Sequence, residues 1–367
     1  MGLGGPAAAR LLQGGPTATR HRKTLSAHAR GQGFFMGDFP CYAFAMNPIL
    51  TITMNPALDV STAVQEVRHT NKLRCEPLHR RAGGGGVNVA RELHRLGAEV
   101  LAFYTAGHST GRMMWSLLQQ EGVRCHPYPI AGFPRESFTV LEHSTGHEYR
   151  FVLPGPDISE AEWQGALVEI GRLCQPQSLV VASGSLPPGV PLDFFARVAQ
   201  VVAGAQGRLV VDTSGEPLRS VLHQGVYLLK PSLHELRDAL GQELPDLYAV
   251  RSAAQALVQG GSARQVVVSL GEMGALLANP EGVWYAPPLQ VEVHSAVGAG
   301  DSFVAGMVWA LAAGESALDA FAKGVACASA TLQSQGSGLG DLQQVQALLG
   351  QVQCLSHFDN QALTIAP

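Results

Sequence analysis

Charge is scarce in this chain. Charged residues make up 15% of its 367 residues, and acids outnumber bases for a net charge of −4. A nucleic-acid surface needs a basic excess, so that class of partner is excluded. No apolar run approaches the roughly 18 residues of a membrane helix, so no membrane partner is expected. The six cysteines (Cys41, Cys75, Cys125, Cys174, Cys327 and Cys354) form no Cys-x-x-Cys pair. Neither a zinc site nor thioredoxin chemistry is signalled. Scattered single cysteines fit a reducing compartment, and a cytoplasmic protein is expected. The 13 histidines are scattered too, and His143 and His147 flank a turn without further ligands at metal spacing. They read as hairpin surface residues. No Gly-Lys-Ser/Thr follows a glycine run, so there is no P-loop. The G-x-G-x-x-G fingerprint is also missing, which disfavours a dinucleotide-dependent oxidoreductase.

Apolar residues and glycine are abundant: 46% hydrophobic content and 42 glycines, spread between apolar runs as turns. From Ile49 onward, short apolar runs alternate with amphipathic segments. Strands are expected at Ile49–Met54, Val100–Tyr104, Leu179–Ala182, Leu209–Asp212, Tyr227–Leu229 and Val266–Leu270. Helices are expected at Val87–Leu96, Met113–Gln120, Ala161–Leu173, Leu192–Ala203, Leu236–Leu240, Ala253–Val258 and Ser302–Ala312. This alternation predicts an α/β fold with a mainly parallel sheet, whose ligands bind beyond the carboxyl ends of the strands. Two segments break the pattern, 60–81 and 135–153. In the second, two β-rich runs flank Ser144-Thr145-Gly146, which predicts a hairpin. Together they are read as a small β-lid. Residues 1–45 carry Arg10, Arg20, Arg22, Lys23 and Arg30 against one acid, Asp38. Their composition resembles a transit peptide but lacks the apolar stretch of a secretory signal. They are read as a disordered or non-native extension, with Met46 the natural start of a domain over 46–355.

The chemistry concentrates in a few turns. Val297-Gly298-Ala299-Gly300-Asp301-Ser302 leads directly into the apolar run Phe303–Leu311. Glycines admit a ligand close to the backbone, and a helix start offers free amides to an anion such as phosphate. Asp301 beside such a site suits proton removal from an alcohol during phosphoryl transfer. The competing reading is a simple helix cap. Arg81-Ala82-Gly83-Gly84-Gly85-Gly86-Val87-Asn88 brings four glycines before another helix, with Asn88 able to donate and accept toward sugar hydroxyls. Asp59 follows the first strand and could accept from two hydroxyls. Lys72, Arg74 and Arg135 fall in the lid, where cations could clamp a sugar phosphate. Lys230, after a strand, could reach a nucleotide phosphate, and Glu235 could hold Mg²⁺ directly or through water. Asp212 is another strand-end acid near the expected metal. The turn with Ser269, Gly271 and Gly274 suits the phosphates or ribose of a nucleotide.

Taken together these motifs resemble the ribokinase-like, or PfkB, family of sugar kinases over roughly residues 46–352. Within the family they are similar to the 6-phosphofructokinases of the isozyme-2 group. Supporting segments are Lys72-Leu73-Arg74-Cys75, the glycine tetrad, Tyr149-Arg150-Phe151-Val152-Leu153-Pro154-Gly155 and Ser183-Gly184-Ser185-Leu186-Pro187-Pro188-Gly189-Val190. Relatives acting on fructose 1-phosphate or tagatose 6-phosphate usually carry Lys within the glycine run, where Gly85 stands here. The resemblance implies a ribokinase-like three-layer α/β/α sandwich and ATP- and Mg²⁺-dependent phosphorylation of fructose 6-phosphate at its C1 hydroxyl. It makes Asp301 the base and the Ala299, Gly300 and Asp301 amides, after Gly298, the anion hole. Asp59, Gly84, Gly85, Asn88 and Ser185 would hold the sugar, and Lys72, Arg74 and Arg135 its phosphate. Lys230, Ser269, Gly271 and Gly274 would bind ATP, and Asp212 and Glu235 would support Mg²⁺. It also implies a homodimer through the lid, and a K⁺ site near the closing turn as in some relatives. Two positions depart from the family pattern: Ser232 replaces Asn before Glu235, and Ala296 replaces Thr. Both bear on metal affinity and rate. The alternatives are a 1-phosphofructokinase or tagatose-6-phosphate kinase, and, from another class, a catalytically weak sugar-phosphate or nucleotide sensor.

Overall fold

The computed structural model describes residues 46–69, 71–334 and 342–356. The extension expected over 1–45 lies outside the described residues. The strands are β1 (Ile49–Thr53), β2 (Ala57–Val64), β3 (His79–Gly83), β4 (Val100–Ala106), β5 (Arg124–Pro129), β6 (Arg135–Glu142), β7 (Glu148–Val152), β8 (Leu179–Ser183), β9 (Arg208–Asp212), β10 (Val226–Leu229), β11 (Ala263–Ser269), β12 (Ala275–Asn279) and β13 (Gly282–Ala286). The helices are α1 (Gly85–Arg95), α2 (His108–Gln120), α3 (Glu160–Leu173), α4 (Phe194–Gly204), α5 (Gly215–Val221), α6 (Leu233–Leu240), α7 (Leu247–Gln259), α8 (Ala299–Ala312), α9 (Ala317–Leu332) and α10 (Leu342–Leu349).

Nine strands form one sheet in the order β13-β12-β11-β10-β9-β8-β1-β4-β5. It is parallel from β5 across to β11 and antiparallel only at the β12–β13 end. Central strands such as β1 and β8 are buried along their whole length, as expected for a sheet covered on both faces. Successive strand residues face opposite cores. Val180 and Ala182 pack with Phe194, Val198 and Leu236 on one side. Leu179 and Val181 pack with Val87, Leu93, Val304 and Phe321 on the other. The result is three layers, helices on both faces of the sheet. α8 is apolar all round and buried from Ser302 to Val308, wedged against α1 and α9.

A second sheet has the order β3-β2-β6-β7. It contains the β6–β7 hairpin, with Phe138 opposite Phe151 and Val140 opposite Tyr149. Several expectations are corrected here. Asp59 follows β1 but is no strand-end acid: it sits inside β2, in the second sheet. α2 begins at His108 and not at Met113, because its first turn is the polar run His-Ser-Thr-Gly. α7 begins at Leu247, where the Asp246 side chain accepts from the Ala249 amide. α9 opens with a Ser316 cap and was not expected, since Ala-rich helices show weak apolar periodicity. No described helix is long and apolar enough to cross a membrane.

Candidate active site

A cavity of about 310 Å³ lies between the carboxyl ends of the large sheet and one face of the small sheet. Its floor comes from neighbouring strand ends: Ser183, Gly184 and Ser185 after β8, Asp212, Thr213 and Ser214 after β9, and Glu235 after β10. Gly84, Gly85, Asn88 and Asp301 form a wall. The opposite wall is Ala57 and Asp59 of β2, Arg135 and Ser137 of β6, and Arg150 and Val152 of β7. Each pair is two residues apart, and Ala57 stands opposite Arg135, Asp59 opposite Ser137, and Ser137 opposite Val152. Six side chains therefore share one sheet face by register alone. A larger cavity, about 620 Å³, lies at the other end of the strands around Asn47, Gly97 and Glu99, away from both glycine turns.

The four glycines are a packed turn and not a linker. A Cβ on Gly83 would sit 2.0 Å from Asp59 Oδ2, one on Gly85 2.2 Å from Ser183 Oγ, and one on Gly86 2.5 Å from the Ile52 carbonyl. Gly84 adopts φ 105, which side chains rarely tolerate. The turn thus brings the start of α1 directly onto the ends of β1 and β8. Asn88, in the first turn of α1, donates from Nδ2 to Asp301 Oδ2 at 2.9 Å.

Asp301 does not cap its helix. Gly298, with φ 85, is the capping residue, and Asp301 lies in the first turn with its carboxylate turned to Asn88 and the cavity. Burial pushes its carboxyl up to about 7, and the charge of Asp212 adds to this; the Asn88 hydrogen bond and Lys230 oppose it. A carboxyl poised near neutral pH suits a general base. The Ala299 amide points to the Ala296 carbonyl at 3.4 Å. At a helix start the Gly300 and Asp301 amides have no preceding turn to bond, so they remain for an anion. Lys230 is buried, its Nζ 3.0 Å from Asp212 Oδ1 and 3.8 Å from where a Gly300 Cβ would stand. Burial works against its charge, but Asp212, Glu235 and Asp301 outweigh burial and raise its pKa. A cation is thus kept beside the start of α8.

At the opposite wall, burial raises the Asp59 pKa, opposed by Arg150, Arg135 and Arg91 and by a hydrogen bond with Ser137. The Arg135 Nε is buried with no hydrogen-bond partner. A buried guanidinium nitrogen left unpartnered in a cavity wall suits an anionic group.

The structure brings Asp59, Gly84, Gly85, Asn88, Arg135, Ser185, Asp212, Glu235 and Asp301 around this one space. It does not bring Lys72 and Arg74 there. Residues 71–78 are exposed and belong to no strand, so nothing folds those two side chains back over their own cavity. Lys230 and Asp212 are each other's partner. Ser269, Gly271 and Gly274 lie at the end of β11, one strand beyond β10; the Ser269 amide donates to the Pro231 carbonyl at 3.1 Å. Gly271 and Gly274 adopt φ 63 and 89. Sequence reasoning missed Arg150 and Ser137 as wall residues and Ser183 and Thr213 as floor residues. The signal for Arg150 was present: once the 144–146 turn fixes the hairpin, alternation puts 150 and 152 on the face of 135 and 137.

A model of the pfkB family carbohydrate kinases matches residues 45–344. The chain belongs to the PfkB family. It is 44% identical to an ATP-dependent 6-phosphofructokinase isozyme 2 of Mycobacterium tuberculosis, over 79% of this chain and 85% of that protein. It is 31% identical to a 1-phosphofructokinase of Escherichia coli, over 83% and 97%. Among solved structures, phosphofructokinase-2 from Escherichia coli in complex with potassium superposes with a TM-score of 0.81 at 36% identity, covering 83% of this chain and 99% of that one. Other crystal structures of the same neighbour hold fructose-6-phosphate or show a tetrameric inhibited form.

As a PfkB carbohydrate kinase the chain is a phosphotransferase with a ribokinase-like fold, and both glycine motifs fall within the matched region. A kinase takes its phosphoryl group from a nucleotide, normally as the Mg²⁺ complex. No group of three metal-ligating side chains occurs among the described residues. The two acids expected to support Mg²⁺ are Asp212, committed to Lys230, and Glu235, whose Oε2 accepts the Ser232 amide at 2.7 Å while Ser232 Oγ accepts the Glu235 amide at 3.2 Å. One or two carboxylates at the cavity edge fit a Mg²⁺ that keeps its waters and takes phosphate oxygens as ligands. In this PfkB chain the Ser232 hydroxyl serves as the cap of α6.

Proposed function

We propose that the chain transfers the γ-phosphoryl group of ATP to the C1 hydroxyl of fructose 6-phosphate, giving fructose 1,6-bisphosphate and ADP. The observation that carries this reading is the polarity of a single cavity. Asp301, poised near neutral pH, stands at one wall, and Arg135 and Arg150 stand at the other. A sugar phosphate fits that polarity, with its phosphate toward the guanidiniums and its free hydroxyl toward Asp301. The names of the relatives support a fructose phosphate as substrate.

Asp301 accepts the hydroxyl proton as the new P–O bond forms. Phosphoryl transfer passes through a loose transition state, so positioning and charge stabilisation outweigh base strength. The Gly300 and Asp301 amides and Lys230 supply that stabilisation. Asp59, Gly84, Gly85, Asn88 and Ser185 orient the sugar; Asn55 Nδ2 donates to Ser185 Oγ at 3.0 Å and fixes it. Ser269, Gly271 and Gly274 receive the nucleotide. Glu235 would hold Mg²⁺ through water, and the ion, when bound with the nucleotide, would supply charge neutralisation at the phosphates. The neighbour's potassium complex supports a bound monovalent cation, whose place in this reading is near the closing turn. Lys72 and Arg74 serve across a homodimer in which the small sheet acts as lid and interface, and the enzyme works in the cytoplasm.

The test is ADP release by the purified protein with fructose 6-phosphate, fructose 1-phosphate and tagatose 6-phosphate. Highest kcat/KM on fructose 6-phosphate is expected. Preference for either other substrate overturns the regiochemistry or epimer, and ligand binding without ADP formation turns the chain into a sensor.

A further inference from the structure

The loop joining β2 to β3 is fastened in two places. At its neck, Thr62 Oγ1 donates to the Glu76 carbonyl at 2.8 Å and the Glu76 amide to the Ala63 carbonyl at 2.9 Å. The His143 and Ser144 amides, on the hairpin turn, donate to the Val64 and Gln65 carbonyls at 3.0 Å each. Beyond the neck the Val67 amide donates to Glu142 Oε1 at 2.8 Å. The same carboxylate accepts from Ser144 Oγ (3.1 Å), Thr145 Oγ1 (2.8 Å) and Tyr149 OH (2.9 Å). Glu142 is buried at the end of β6, yet it lines no part of the cavity. The Val67 amide first, then the Thr145 and Tyr149 hydroxyls, hold its carboxyl down at about 2, so it stays charged throughout the working pH range. Hydrogen bonds to a charged acceptor are roughly twice as strong as neutral ones. The catalytic chemistry has no use for a carboxylate there. What the network does fix is the direction in which residues 67–69 leave the sheet; Lys72 and Arg74 follow within the exposed stretch 71–75.

We propose that Glu142 is a positioning residue for phosphosugar binding: by taking the Val67 amide it holds residues 65–69, the root of the loop, in one orientation, ready to present Lys72 and Arg74 to the sugar phosphate in the partner subunit's cavity. This rests on the role given above to Lys72. An unfastened loop of this length samples many orientations, and the entropy of ordering it is then charged to substrate binding. The consequence falls on KM and spares kcat, because Asp301 and the start of α8 are untouched.

The experiment is a double-mutant cycle in the full chain, measuring KM and kcat for fructose 6-phosphate in Glu142→Ala, Lys72→Ala and the double variant. Glu142→Gln serves if the alanine variant fails to fold. The expected result is a KM raised about tenfold in each single variant with kcat within twofold, and no further rise when Glu142→Ala is added to Lys72→Ala. Faster tryptic cleavage after Arg68, Lys72 and Arg74 in the Glu142 variant is expected alongside. If Lys72→Ala leaves KM unchanged, the role of Lys72 fails. If Lys72→Ala raises KM while the Glu142 variants leave it alone, or if the two effects simply multiply, the positioning role of Glu142 is overturned and that of Lys72 stands.

Discussion

Asn88 donates to Asp301 across 2.9 Å, although 213 residues separate them in the chain. The bond joins the first turn of α1 to the first turn of α8. It ties the glycine tetrad to the start of α8, whose amides would face the transferred phosphoryl group in the proposed reaction. In the proposed reaction both halves would meet at this one carboxylate.

Asp301→Asn separates catalysis from stability. The amide keeps the hydrogen-bond geometry but takes no proton, so turnover should fall by at least ~10², the usual size of a general-base contribution. The sign of the stability effect follows from linkage. Asp301 has a folded pKa of about 7, raised chiefly by burial, against roughly 3.9 for an unfolded Asp. Its favourable contribution is complete below the unfolded value and disappears as pH rises through about 7. Removing the charge should therefore stabilise the fold at pH 8 by about 2–4 kcal/mol, shrinking toward nothing near pH 4. Thermal melts at both pH values read this directly. A variant no more stable than the parent at pH 8 would show that the carboxylate is not strained by its surroundings.

The pH dependence of turnover should carry the same pKa. Activity is expected to rise as pH increases through about 7, because the base must be ionised. The Asn88 hydrogen bond lowers that pKa, so Asn88→Ala should move the rising limb to higher pH. Profiles of kcat for the two proteins, taken at saturating substrate, compare the limbs. Coincident limbs would mean that another group controls the profile.

Arg150 and Arg135 should set the preference for a phosphorylated sugar. A charge-assisted hydrogen bond contributes about 1.5–3 kcal/mol, so losing either guanidinium should raise KM for fructose 6-phosphate about 10- to 100-fold. Activity on unphosphorylated fructose, which lacks the anion, should change little. Arg150→Lys should recover only part of the affinity, since an ammonium cannot make the paired contacts of a guanidinium. Equal loss on both sugars would make these residues structural.

The layered fold and the cavity floor were legible in the sequence because their signals are local. Ile49–Thr53 and Leu179–Ser183 are short apolar runs ending in small polar residues, and the glycine turns stand directly before helices. The opposite wall was less legible, because it depends on register. Asp59 was taken to end a strand, yet it pairs with Ser137, 78 positions on, and only that pairing puts it beside Arg150. Lys72 and Arg74 failed to reach their own cavity for the complementary reason: a loop's path is set by long-range contacts such as Val67 with Glu142, which leave no periodic trace. Ser232 was read as a departure bearing on metal affinity and rate; what the sequence did not show is that its hydroxyl and backbone engage Glu235 in capping α6.

Two neighbouring glycines should behave differently when a methyl group is added. A Cβ on Gly83 would meet the Asp59 carboxylate at 2.0 Å, the far end of a side chain that can rotate away. Gly83→Ala should therefore fold normally while displacing Asp59 from the sugar, raising KM by roughly tenfold or more, the loss expected for one charge-assisted contact. A Cβ on Gly86 would meet the Ile52 carbonyl at 2.5 Å and Thr53 Oγ1 at 2.6 Å. Ile52 lies in the middle of a fully buried central strand, which cannot yield without disturbing β4 and β8 on either side. Overpacking of this kind costs about 1–3 kcal/mol or more, so Gly86→Ala should lower the melting temperature by several degrees. Melting curves and KM values for the two variants separate the outcomes. Equal destabilisation would show that Asp59 is as rigid as the strand backbone, and a Gly86→Ala protein as stable as the parent would show that α1 is free to move away from β1.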